Sequence, residues 1–185
     1  MKCFLTSFGL ETPTITDAFL DLLPKAPTNI RALLIPTAAI DPDAIEVLPK
    51  CLNDLLKCGI PRGNITVCDL YDPIEGQLAD WFDMVYLCGG NTEYLLRRIN
   101  EGGFREQLLR FIQEEGVVIG VSAGSVIFGT NLPDNLGLLS CPLDVHSPDE
   151  ACERPGSYPT TRKKRIRLGN RQALLWEQDK LVIME

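Results

Sequence analysis

Five short apolar runs recur along the first two-thirds of the chain, and together they leave few folds open. They are Lys2–Ser7, Arg31–Pro36, Ile65–Leu70, Met84–Cys88 and Val117–Val121. Between them lie stretches with apolar residues at helical spacing, namely Ile15–Leu23, Ala44–Lys57, Thr92–Asn100 and Arg105–Glu115. In Ala44–Lys57 the residues Ile45, Val47, Leu48, Leu52, Leu55 and Leu56 fall on or near one face, and Gly59 and Pro61 stop the helix. A run with no polar alternation reads as a strand buried on both faces, and helices between such strands supply the cover. The pattern predicts an α/β fold: a doubly wound, mostly parallel sheet with helices on both faces. In such sheets ligands bind beyond the carboxyl ends of the strands. From Pro133 to Tyr158 the alternation gives way to Pro, Asp, Ser and Gly, which predicts a loop wrapping that edge. Residues Ala173–Met184 are expected to add one or two terminal strands. The chain of 185 residues is long enough to bury a full core, and a single domain spanning 1–185 is expected.

The charge balance narrows the partners. A net charge of −7 disfavours nucleic acid, whose phosphates call for a surplus of Lys and Arg. No apolar run reaches the ~20 residues of a bilayer span, and Met1–Gly9 turns polar too soon for a signal peptide and reads as a first strand. Seven cysteines without a C-x-x-C pair fit reduced, mostly buried thiols in a cytoplasmic protein. One histidine and no clustered ligands leave no metal site to expect, and no cofactor is implied.

The strand Val117–Val121 ends in Gly120-Val-Ser122-Ala-Gly124, after which small residues open a helix-like segment. This is the pattern of a nucleophile elbow, a tight strand-to-helix turn that lifts a hydroxyl clear of the sheet. Ser122 would sit at a helix N-terminus, where free N–H groups favour developing negative charge. A serine nucleophile needs a base, and His146, the sole imidazole, lies in the downstream loop that could carry it over the strand edge. Oxyanion donors have two sources: the N–H of Ala123 and the glycine turn Gly89-Gly90 after the fourth strand. Asn91 or Thr92 would cap the helix that follows.

The segments Leu-Cys-Gly-Gly-Asn-Thr-Glu-Tyr-Leu-Leu (87–96) and Gly-Val-Ser-Ala-Gly-Ser (120–125) resemble the paired signatures of the aspartyl dipeptidase (peptidase E) family. Asn135-Leu-Gly-Leu-Leu before His146 and Thr161-Arg162-Lys-Lys-Arg-Ile166 after it are similar to further family segments. The resemblance implies a serine exopeptidase acting on short peptides that begin with aspartate. It also implies a flavodoxin-like sheet related to class I glutamine amidotransferases, with serine replacing their cysteine. Carried over, Ser122 is the nucleophile, His146 the base, and Gly90 and Ala123 the oxyanion donors. Arg162 would pair with the aspartate side chain, and Asn91 would join it in substrate binding. A guanidinium fork suits a carboxylate, and six of the 18 Lys and Arg residues fall within 162–171. The acidic member of the triad is expected at Glu177, with Asp134 and Asp144 as the other candidates. The interval from Ser122 to His146 is shorter than is usual in that family. A small peptide is the partner expected, bound by a monomer or homodimer. Two other readings share the scaffold: a thiol-dependent, amidotransferase-like hydrolase using Cys88, Cys141 or Cys152, and a catalytically silent binding protein.

Overall fold

The computed structural model describes residues 1–71, 74, 76–178 and 180–185. In chain order its elements are β1 (Lys2–Thr6), α1 (Pro13–Leu22), β2 (Ala32–Ile35), α2 (Pro42–Lys57), β3 (Ile65–Val67), α3 (Leu78–Trp81), β4 (Met84–Leu87), α4 (Thr92–Glu101) and α5 (Phe104–Gln113). They continue with β5 (Val117–Val121), α6 (Ala123–Val126), β6 (Leu143–Asp144), β7 (Gly156–Pro159), β8 (Ile166–Arg167), β9 (Ala173–Glu177) and β10 (Lys180–Met184). The helix starts follow local chemistry. Thr12 caps α1 by accepting the Ile15 N–H at 3.2 Å, with Pro13 in the first helical position. In α2, Pro42 supplies a preset φ at that same position, so the helix begins two residues before the expected Ala44.

Among the described residues, eight strands form one sheet in the order β3-β2-β4-β5-β1-β9-β10-β7. The first five are parallel to one another, as the apolar runs predicted. The other three, all from the C-terminal part of the chain, run antiparallel, so the sheet is mixed and departs from the expected winding on that side. β3 stops at Val67, short of the expected Leu70, because it is an edge strand whose last residue is already 49% exposed.

Alternate residues of the strands feed two cores. Leu5, Leu33, Ile35, Val85, Leu87 and Val118 pack with residues of α4, α5 and α6. Phe4, Leu34, Met84, Tyr86 and Ile119 pack against α1 and α2 on the opposite face. Burying both faces removes a large apolar area from water, the main stabilising term at ~25 cal/mol per Å2. Register then aligns the functional edge. Thr6 pairs with Val121 and, across the antiparallel junction, with Ala173, while Leu87 pairs with Gly120. The ends of β1, β4 and β5 and the start of β9 therefore meet at one rim. No helix among the described residues is long and apolar enough to cross a membrane.

Candidate active site

Ser122 occupies that rim with φ 51° and ψ −113°, a conformation L-residues with a Cβ rarely adopt. The surroundings enforce it. Its N–H donates to the Thr6 carbonyl at 3.0 Å, and its own carbonyl accepts from Ser125 and Val126 at 2.8 and 3.0 Å. The buried Ser125 hydroxyl lies 2.8 Å from the Thr6 carbonyl and 2.7 Å from that of Gly120, tying the turn to both strands. Gly124 is obligatory in this packing, since a Cβ there would collide with the Leu87 carbonyl of β4. The helix opened by the elbow has four residues, so the expected macrodipole reduces to the local N–H groups of one turn.

The glycine turn after β4 lies against the serine: a Cβ on Gly89 would stand 3.1 Å from Ser122 Cβ. Gly90 has φ +137° and no room for a side chain against the Ala38 carbonyl, which accepts the Asn91 N–H at 2.7 Å. Among the described residues no backbone carbonyl outside the helices and strands accepts from the N–H of Gly90 or Ala123. Asn91 caps α4, its Oδ1 accepting the Tyr94 N–H at 2.9 Å, so its side chain is already engaged.

His146 arrives from the loop preceding β7, with φ 53°. Its N–H donates to Ser7 Oγ at 2.7 Å, and the next N–H, of Ser147, to the Leu168 carbonyl at 3.0 Å. Two bonds orient the ring: Nε2 lies 2.8 Å from Ser122 Oγ, and Nδ1 lies 2.7 Å from Asn170 Oδ1. The tautomer that satisfies both carries its proton on Nδ1, donating to Asn170 and leaving Nε2 to accept the serine hydroxyl. Ser7 Oγ also stands 3.4 Å from Asn170 Oδ1, and Phe8 meets the imidazole edge-on with ring centroids 6.1 Å apart. The short interval between Ser122 and His146 thus does not hold the two apart.

Among the described residues no carboxylate takes the position opposite Nδ1. Glu177 is at the wrong end of its strand: β9 runs antiparallel to β1, so Ala173 meets Thr6 at the rim while Glu177 meets Lys2 at the far edge. Four residues of strand rise separate it from the rim, about 13 Å. Asp134 lies beside α4 and α5, where its carbonyl accepts from Asn100 and Arg105. Asp144 is bound by Arg165 and by Asn131 Nδ2. Asn170 and Ser7 are the residues sequence reasoning missed. A signal existed for both, since each adjoins a strand end at the carboxyl rim, Ser7 as the last residue of the first run and Gly169-Asn170 at the turn before β9. Finding Asn170 required knowing that β9 is antiparallel.

A cavity of about 230 Å3 opens beside Ser122 and His146. Its walls are Phe8, Val121 and the α2 residues Ala44, Val47, Leu48 and Cys51, with the Gly89-Gly90 turn opposite. Lys50 and Asp54 form its polar end. Lys50 Nζ contacts Glu11 at 2.7 Å and Asp54 at 3.3 Å. Asp54 also accepts the Tyr86 hydroxyl and the Leu10 N–H, each at 3.2 Å. Burial works to lower the Lys50 pKa, but its bonds to Glu11 and Asp54 outweigh this and raise it above the ordinary lysine value. Arg162 is elsewhere. Its guanidinium is 10% exposed, bonds Glu153 at 2.6 Å and stacks on Tyr158 at 4.7 Å, and it does not line the cavity.

Cys88, Cys141 and Cys152 do not line the cavity. Cys88 is fully buried, and its bond with Cys51 together with burial pushes it well above the usual cysteine value. Burial also raises Cys141 and Cys152. Cys51 is pulled down by its bond with Cys88 but is 3% exposed in the wall of α2.

Residues 3–136 match the model of Peptidase family S51. The chain belongs to that family. The matched span contains Gly90, Ser122 and Ala123 and ends before His146 and Asn170. An uncharacterized peptidase of Pasteurella multocida (strain Pm70) is 28% identical over 135 residues, covering 71% of this chain and 61% of its own. The chain thus spans about six-tenths of the length of that curated relative. In solved structures, this S51 fold is similar to a candidate peptidase E protein from Listeria monocytogenes EGD-e, with a TM-score of 0.76 at 18% identity, covering 100% of this chain and 98% of that one. A peptidase from an acI-B1 Actinobacterium gives 0.68 at 17% identity, over 99% and 86% of the two chains.

Proposed function

We propose that this S51 member is a serine peptidase of short peptides, with Ser122 as nucleophile, His146 as general base and Asn170 as the residue that orients the imidazole. The observation that carries this is the continuous bonding from Ser122 Oγ to His146 Nε2 at 2.8 Å and from Nδ1 to Asn170 at 2.7 Å. Ser122 attacks the scissile carbonyl as its proton passes to Nε2, and the imidazolium later gives that proton to the leaving amine. The N–H groups of Gly90 and Ala123 receive the oxyanion, a contribution of about 3 kcal/mol per donor in comparable sites. Asn170 accepts from Nδ1–H without adding charge, the arrangement of a Cys-His-Asn site with serine in the cysteine position. A reduced, thiol-rich interior fits a cytoplasmic setting. The finer expectation of an N-terminal aspartate calls for a free cation beside the scissile bond, whereas Arg162 is held by Glu153 and Lys50 by two carboxylates.

A fluorophosphonate probe and a dipeptide panel test this reading. The wild type should be labelled, Ser122→Ala should not, and hydrolysis should fall by at least about 10^4 in the variant. Equal turnover by the two proteins sinks the nucleophile assignment. Activity lost to iodoacetamide but not to the serine probe would favour the thiol reading instead.

A further inference from the structure

The cavity beside Ser122 differs chemically from one built to receive a carboxylate. Its walls are apolar over Phe8, Ala44, Val47, Leu48 and Val121. Its charged residues are Asp43, Asp54 and Lys50, and Lys50 already bridges Asp54 and Glu11. Around this mouth, among the described residues, three carboxylates thus stand against one ammonium that is doubly paired and stacked over Phe8 at 5.2 Å. A carboxylate side chain entering here would lose its water, meet a negative field and find no unpaired cation. An apolar side chain would replace water against aliphatic walls. The same excess of carboxylates suits the α-ammonium of a peptide's first residue. At about 230 Å3 the space holds one residue, below the ~300–1,000 Å3 of sites for drug-sized ligands.

Resting on the peptidase reading above, we propose that this pocket receives the first residue of the substrate as an uncharged apolar side chain with a free amino group. Val47 and Leu48 set the preference, and the Glu11–Lys50–Asp54 cluster excludes aspartate. The occupant is a peptide beginning with a residue such as leucine.

The test separates binding from turnover. Leu-Ala and Asp-Ala are titrated calorimetrically into Ser122→Ala, and both are assayed with the wild type. Leu-Ala should bind at least tenfold more tightly. Val47→Arg, at a partly exposed position, should weaken Leu-Ala at least tenfold and strengthen Asp-Ala. Glu11→Gln, which relieves Lys50 of one partner, should raise the affinity for Asp-Ala relative to Leu-Ala at least threefold. Equal or tighter binding of Asp-Ala, or no binding of either dipeptide, overturns the proposal. Selective Leu-Ala binding with no hydrolysis and no fluorophosphonate labelling of the wild type would uphold the pocket while sinking the peptidase reading.

Discussion

At the scale of single residues, the site rests on three strained or specialised positions: Ser122 and His146, both with positive φ, and Asn170. The serine was legible because an elbow leaves a fixed pentapeptide in sequence, and the histidine because no other imidazole exists. Asn170, the proposed orienting residue, was not legible, since asparagine at a turn has many structural uses and only a fold places it opposite Nδ1. Its neutrality has a measurable consequence. Replacing Asn170 by Ala removes one neutral hydrogen bond, worth ~1 kcal/mol, and should lower kcat about fivefold with little change in KM. Asn170→Asp should restore most of the rate and move the acid limb of the kcat/KM profile to higher pH, because a carboxylate favours the imidazolium. Identical pH profiles for the wild type and Asn170→Asp would contradict the orienting role.

At the scale of elements, the elbow is a joint among β1, β4, β5 and α6 rather than a property of its own five residues. The Gly124–Leu87 approach and the Ser125 bonds to two strands hold Ser122 in its conformation. Gly124→Ala is therefore expected to cost ~1–3 kcal/mol through overpacking and to reduce serine-probe labelling out of proportion to the loss of folded protein. Thermal unfolding and labelling of the same sample check this. Helix positions were readable from apolar spacing, since their packing is periodic. Strand direction was not, because a buried antiparallel strand and a buried parallel one show the same apolar run. Glu177 was expected from the family resemblance, and only the antiparallel direction of β9 puts it at the far edge and Asn170 near the rim.

At the scale of the whole molecule, the two edges of the sheet have separate tasks. The carboxyl rim carries the site, while the opposite edge is fastened by Asp83, which accepts the Arg31 N–H at 2.8 Å and pairs with Lys25 at 2.9 Å. Burial works to raise the Asp83 pKa, but the bonds from Arg31 and Lys25 win and hold it below the ordinary carboxylate value. Its stabilisation is then complete above about pH 4, the unfolded aspartate value, and is lost as pH falls through the depressed folded value. Urea midpoints between pH 2 and 6 should show a steeper acid loss for the wild type than for Asp83→Asn. Parallel curves would remove this residue from the account.

The seating of β1 between β5 and β9 has a consequence in time. Strand β1 comes first along the chain, yet one of its two neighbours, together with the loop bearing His146 and the turn bearing Asn170, comes near the end. A partly made chain holds Ser122 without His146, so the proposed pair is assembled only when the last strands close on the first. Distant pairings of this kind form late. In refolding experiments, reactivity toward the serine probe should never precede the burial of Trp176, whose indole on β9 is the natural fluorescent clock for that closing step.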